Sequence, residues 1–162
     1  PVVVTVQGPQ FKALGVGGSG QLEAALSNQP SLLLMLAGSG DLTVKGLTAH
    51  QVDANVAGSG DVRVQGAAQN LSVNVAGSGD VRVQGAAQNL SVNVAGSGDA
   101  WLKDLEAEDV RVSVAGSGDV RVQARQRLKV SIAGSGDVRY SGPAKDVSIS
   151  AVGSGRVTRE GS

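Results

Sequence analysis

The chain has 162 residues, 14 basic and 14 acidic, with no cysteine. That length suits one domain of ordinary size. Zero net charge leaves no long-range field to recruit nucleic acid or an anionic membrane, and the missing thiols remove disulfides, thiolate metal sites and cysteine nucleophiles together. Glycine contributes 24 residues while Phe, Trp and Tyr occur once each, so the apolar content rests on Val, Leu and Ala and suits a narrow core. No stretch reaches the roughly 18 apolar residues of a membrane span; Pro30–Gly38 is too short. The chain opens at Pro1 and reads as a mature or trimmed segment from which any signal peptide has been removed.

A period dominates the sequence. Gly-Ser-Gly begins at Gly18, Gly38, Gly58, Gly77, Gly96, Gly116, Gly134 and Gly153, at spacings of 18 to 20 residues. Between these corners lie two short segments in which apolar and polar residues alternate, the pattern of half-buried strands. A unit of this size cannot bury its apolar side alone, whereas stacked units pair every strand in parallel with its equivalents above and below. The expected fold is therefore all-β: a parallel β-helix, or β-solenoid, of about eight coils of 18–20 residues, spanning 1–162 as a single domain. At about 4.8 Å per coil the rod would be on the order of 38 Å long. Parallel crossovers favour a right-handed winding.

Taken in chain order, residues 1–20 are expected to form an N-terminal coil or cap. Val2-Val3-Val4-Thr5-Val6 is a β-branched run with no charge before Lys12. Gly15-Val16-Gly17-Gly18-Ser19-Gly20 spells the dinucleotide pattern G-x-G-x-x-G, but no βαβ unit surrounds it and its last three residues are in phase with seven later corners. No cofactor is expected. Residues 21–155 are expected to be regular coils with Gly-Ser-Gly corners. In the first of them, aligning Leu32–Leu36 with Leu71–Val75 turns Leu33 and Met35 outward, beside Ala13 and Gly15 of the preceding coil. Either a segment covers them or they form a partner or self-association surface together with Val3.

Ala57–Val75 is repeated verbatim as Ala76–Val94, and the match at an offset of nineteen runs over 26 positions, from Asn55 through Asp80. In this coil Val62, Val64, Leu71, Val73 and Val75 are predicted to point inward, Asp61, Arg63, Gln65, Ser72 and Asn74 outward, with a second corner at Gly66-Ala67-Ala68. The copied coil reflects either tandem duplication or engineering. The following coil, Asp99–Gly118, carries an extra residue and an acidic corner, Asp104-Leu105-Glu106-Ala107-Glu108. Its Trp101 aligns with Arg82 and Arg121 and is expected outside between them, packed by cation–π contact or available to a sugar. Residues 156–162 form the C-terminal end, where Arg156 replaces the column aspartate and Thr158-Arg159-Glu160-Gly161 is charged. That end reads as protected, so any self-association is expected N-terminal end to N-terminal end, as a closed homodimer.

Two charged columns run through the repeats. Asp41, Asp61, Asp80, Asp99, Asp119 and Asp137 follow the corners, and Arg63, Arg82, Lys103, Arg121 and Arg139 follow the aspartates. The calcium-binding β-roll places its Asp differently and repeats every nine residues. Corner capping by Asp, with ion pairing between the columns, is the expected arrangement, and no metal site is predicted. Catalysis lacks raw material: His50 is the only histidine, and the column serines have no base to activate them. Asn70-Leu71-Ser72 and Asn89-Leu90-Ser91 match a glycosylation sequon by chance.

The repeated A-G-S-G-D-V with a trailing V-x-V-x-G and an L-S-V-x-V strand resembles the bacterial family described as "Putative auto-transporter adhesin, head GIN domain". The matching copies are Ala37–Leu42, Ala57–Val62, Ala76–Val81, Ala95–Ala100, Ala115–Val120 and Ala133–Val138, and the resemblance extends from about Leu36 to Val157. It implies a right-handed parallel β-helix exported to the periplasm or cell surface, with no established activity and no catalytic or ligand residues to carry over. The resulting expectation is a non-enzymatic envelope or surface module, a rigid scaffold with an adhesion-like role toward a protein or glycan partner. The alternative is an engineered or self-assembling solenoid lengthened by the copied coil.

Overall fold

A computed structural model of the chain describes residues 3–8, 13–26 and 29–160. Every strand pair is parallel, and the strands stack as a β-solenoid of about seven turns. Eight corners enclose seven full intervals, which accounts for the difference from the eight coils counted in the sequence. The strands are β1 (Val3–Gly8), β2 (Ala13–Gly18), β3 (Gln21–Leu26), β4 (Gln29–Gly38), β5 (Asp41–Gly58), β6 (Val62–Gly77), β7 (Val81–Gly96), β8 (Ala100–Gly116), β9 (Val120–Gly134), β10 (Val138–Ser141), β11 (Asp146–Gly153) and β12 (Val157–Arg159). One pairing path runs β1-β3-β5-β6-β7-β8-β9-β10-β12; β2 and β4 stack below β5, and β11 lies on β9.

The middle coils differ from the two-strand expectation. In β6 and β7 pairing continues through Gly66↔Gly85, Ala67↔Ala86 and Ala68↔Ala87, so the second corner is itself a short paired face. It turns a column of alanines inward: Ala49, Ala87, Ala107 and Ala124 are buried, and Ala68 packs against the same core. Only a side chain as small as Ala fits where the chain doubles back on a core this narrow. In β8 the extra residue is absorbed by a register shift between Arg82 and Gly85, which sets Leu105 on the Gly85 rung. Leu105 is buried, so the predicted acidic corner contributes an apolar side chain to the interior.

The remaining inward positions follow the alternation. Val62, Val81, Ala100, Val120 and Val138 form one column through successive coils, and Leu71, Leu90, Val110 and Leu128 another. All are buried. At roughly 1.5–3 kcal/mol for each fully buried Val or Leu side chain, these columns supply the main stabilising term.

The Gly-Ser-Gly corner locks one coil to the next. The Gly58 carbonyl accepts the N–H groups of both Ser78 and Gly79, each at 3.0 Å, and the Gly77 carbonyl accepts those of Ser97 and Gly98 in the same way. Gly77 sits at φ 121°, in the region that side chains avoid. A Cβ on Gly79 would collide with the Gly60 carbonyl and stand 2.9 Å from Val56 Cγ1. The serine between them is exposed.

The C-terminal end is not protected in the way its charges suggest. β11 pairs with β9 on one side only. Val147 and Ile149 continue the inward columns of Leu128 and Val130, yet Ile149 is 47% and Val152 70% exposed. The charged residues Arg156 and Arg159 belong to β12 and its approach, and β12 stacks on β10, away from β11. An unpaired strand edge with aliphatic side chains is a template for association.

Deleting 76–94 is expected to leave a folded protein one coil shorter, because coil contacts are nearest-neighbour; loss of the β signal in circular dichroism would contradict the register. Light scattering on concentrated protein separates the two ends. Val3→Lys with Met35→Lys is expected to reduce self-association if the N-terminal dimer forms, whereas a reduction only with Val147→Lys and Ile149→Lys would overturn that dimer.

Candidate functional site

The outward residues singled out in the sequence do not converge. Met35 is 51% exposed and Leu33 half-buried, and both stand in register with Ala13 and Gly15 below and Asp53 and Asn55 above. Val3 opens β1 opposite Gln21; its side chain lies outside the described residues. Trp101 is on a different column, between Arg82 and Arg121 as expected, with the two guanidinium carbons 5.8 and 4.5 Å from the ring centroid. At that spacing the ring is engaged by cation–π contact, worth about 0.5–1 kcal/mol at an exposed site.

The aspartate column caps the stack. Asp80 Oδ1 accepts the backbone N–H of Asp99 at 3.1 Å, Asp99 Oδ1 that of Asp119 at 2.9 Å, and Asp119 Oδ1 that of Asp137 at 3.1 Å. The last member, Asp137 Oδ1, accepts from Arg156 N–H at 3.0 Å. Corner capping thus holds. Among the described side chains, no ion pair joins this column to the basic one, and each carboxylate is turned along the stack axis toward a backbone donor. Among the described residues the ion pairs are Arg125–Glu106 at 2.7 Å, Arg139–Glu160 at 3.6 Å and Arg127–Asp146 at 4.0 Å. Among those residues, no group of three or more His, Cys, Asp or Glu gathers to hold a metal. His50 is exposed beside the alanine face, remote from the corner serines.

Register also aligns outward amides. Asn93 Nδ2 donates to Asn74 Oδ1 and Asn74 Nδ2 to Asn55 Oδ1, both at 2.9 Å. Asn89 Nδ2 donates to Asn70 Oδ1 at 2.8 Å. This second ladder forms one wall of a groove of about 760 Å³ that runs along the stack across six rungs.

The first wall continues from Asn70 and Asn89 through Asp109, Arg127 and Asp146. Ser72, Ser91, Arg111, Lys129 and Ser148 form the second wall. Between them Leu71, Leu90, Val110 and Leu128 turn their side chains into the core, so their backbone makes the floor. Sequence reasoning misses this groove. One signal for it exists: the column that runs Asp53, Ser72, Ser91 changes to Arg111 and Lys129, two like charges on successive rungs.

At Asp109 the amide ladder fails. An ionised carboxylate offers no N–H to continue it, and Asp109 Oδ1 is buried with no hydrogen-bond partner. On the adjacent wall Arg111 and Lys129 occupy successive rungs. Among the described residues neither has a carboxylate oxygen within 4.0 Å. Like charges on neighbouring strands are unfavourable, so this part of the groove is less satisfied than the rest of the outer surface.

A family model described as "Putative auto-transporter adhesin, head GIN domain" matches residues 1–84 and again 33–144. No curated protein matches. Among solved structures, one described as a "Putative lipid binding protein" from Parabacteroides distasonis is 32% identical, with a TM-score of 0.89 over 93% of this chain and 62% of that one. A "putative adhesin" from Bacteroides fragilis is 28% identical, with a TM-score of 0.73 over 82% of this chain and 61% of that one. The chain therefore spans less than two thirds of the length of either structure.

Replacing Asp80 by Asn, which keeps the acceptor oxygen, is expected to leave stability nearly unchanged, while Asp80→Ala costs about 1 kcal/mol. In the same thermal melts, millimolar calcium against chelator is expected to shift Tm by less than about 2 °C, below the shift of a 1 kcal/mol linkage. A rise of ten degrees that Asp80→Asn abolishes would instead identify the column as a cation ladder.

Proposed function

The chain belongs to the head GIN domain family, and from that premise we propose that it is an exported or surface-displayed binding module, without catalytic activity, whose rigid solenoid presents the groove to an extended partner. The observation that carries this reading is the groove itself. Its two polar walls repeat at the coil spacing and are held in place by backbone pairing, so the contact residues are ordered before any partner arrives. Preorganised contacts lose less entropy on binding. The adhesin-like description of the family, shared by the Bacteroides fragilis protein, supports an adhesive role at the envelope, in the periplasm or at the cell surface.

Lipid binding, the role named for the Parabacteroides distasonis protein, finds less support. The inward columns are filled by Val, Leu and Ala, and the groove walls end in amides, hydroxyls and charges. A purely structural or engineered solenoid is favoured only by the identity of the two copied segments, which pair in register like any other two coils. Met35 and Leu33 are proposed as a secondary contact surface for a protein partner or a second copy.

The test is to probe an array of envelope and host-surface polysaccharides with the full chain and with Ser72→Trp/Ser91→Trp, which plugs the groove. Retention of the parent on at least one polymer, lost in the plugged protein, is expected. No retention, or retention indifferent to the plug, would overturn the reading.

A further inference from the structure

We infer that the groove takes an acidic glycan, its carboxylate-bearing unit over Arg111 and Lys129 and its neutral units over the Asn and Ser rungs. This inference rests on the groove being the binding face, and adds the class of ligand.

Three features support it. First, the rungs repeat at about 4.8 Å along the stack, comparable to the length of one pyranose unit in an extended chain. An extended peptide presents same-face side chains every two residues, about 6.8 Å apart, and falls out of step within a few coils. Second, the polar complement is graded. Asn89 and Ser91 offer donors and acceptors suited to hydroxyl groups, and one coil further Arg111 and Lys129 stand on successive rungs of one wall with Lys145 also lining the groove. A carboxylate between the two wall cations would relieve their mutual repulsion and form charge-assisted hydrogen bonds. Third, the amide ladder stops at exposed Asn89, whose Oδ1 receives no side-chain N–H from Asp109 one rung further on. A sugar hydroxyl supplies the donor that the broken amide ladder lacks, and a ligand made only of anionic groups would not.

Isothermal titration of the full chain tests the assignment with three probes: a uronic acid hexamer in which acidic units alternate with neutral sugars, a neutral glucose hexamer and a single-stranded hexanucleotide. The uronic acid hexamer is expected to bind at least 10-fold more tightly than either of the others, and to weaken as salt is raised from 0.05 to 0.5 M. Arg111→Glu/Lys129→Glu is expected to lose that preference by 10-fold or more. Lys145→Glu, a substitution outside the strands, guards against misfolding of the double variant and is expected to weaken binding several-fold. Trp101→Ala, on another column, is expected to change nothing.

Equal binding of both hexasaccharides, both lost in the Ser72→Trp/Ser91→Trp protein, would overturn the acidic assignment and leave the binding-module reading standing. Tighter binding of the oligonucleotide, or uronic acid binding indifferent to the charge reversals, would overturn it as well. So would silence from all three probes, in which case the polysaccharide array alone decides the broader reading.

Discussion

The stack depends on one contact, the corner-glycine carbonyl, which at Gly18, Gly38, Gly58, Gly77, Gly116 and Gly134 accepts two N–H groups from the coil above and at Gly96 accepts one. Two donors converging on one oxygen hold successive backbones so close that the second glycine of the corner has no space for a Cβ. Everything else inherits its register from that contact. Inward valines fall over inward valines, and outward asparagines fall within hydrogen-bonding distance of their equivalents, because the corners permit no slip. Even the 18- and 20-residue coils rejoin the register at the next corner, their differences absorbed at the second corner by bulges.

That constraint explains the composition. A core only one strand pair across has room for Val and Leu on its longer faces and for Ala where the chain doubles back. Trp101 is outside, between two arginines, while Tyr140 continues the inward Val122 column and packs against the core. The outer polar groups are satisfied along the stack: aspartates accept backbone N–H groups of the next coil, and side-chain amides accept from amides. The geometry of the corner makes these backbone-to-carboxylate bonds available from one turn to the next.

The architecture is legible in the sequence because its signals are local and repeated. The period of Gly-Ser-Gly, the alternation in Val62–Gln65 and Leu71–Val75, and the outward placement of Trp101 all follow from backbone geometry acting within one coil. What stays hidden depends on relations between coils. The partner of an aspartate is a backbone N–H nineteen or so residues away, whereas i, i+2 spacing suggests Arg. The alanine face resembles a bare corner in any one coil because its pairing lies with the neighbouring coils. The charges of the C-terminal segment lie in and beside β12, which stacks on β10, whereas β11 pairs with β9. The groove is the clearest case: its walls are columns, each residue unremarkable in its own coil. Only the change from Ser91 to Arg111 and Lys129 is visible along the chain.

The copied coil acquires a meaning from this geometry. Asn89 and Ser91 repeat Asn70 and Ser72 one rung further along the groove. Because the rung spacing is fixed by backbone pairing, a coil can be added without altering the pitch at which groups are displayed. The solenoid is in this respect a graduated ruler, whose markings can be multiplied but not respaced. A polymer lying along it would meet one more identical mark, and each mark adds to binding as a tethered, intramolecular contact. Duplication of a coil thus lengthens the reading frame while leaving its unit of measure intact.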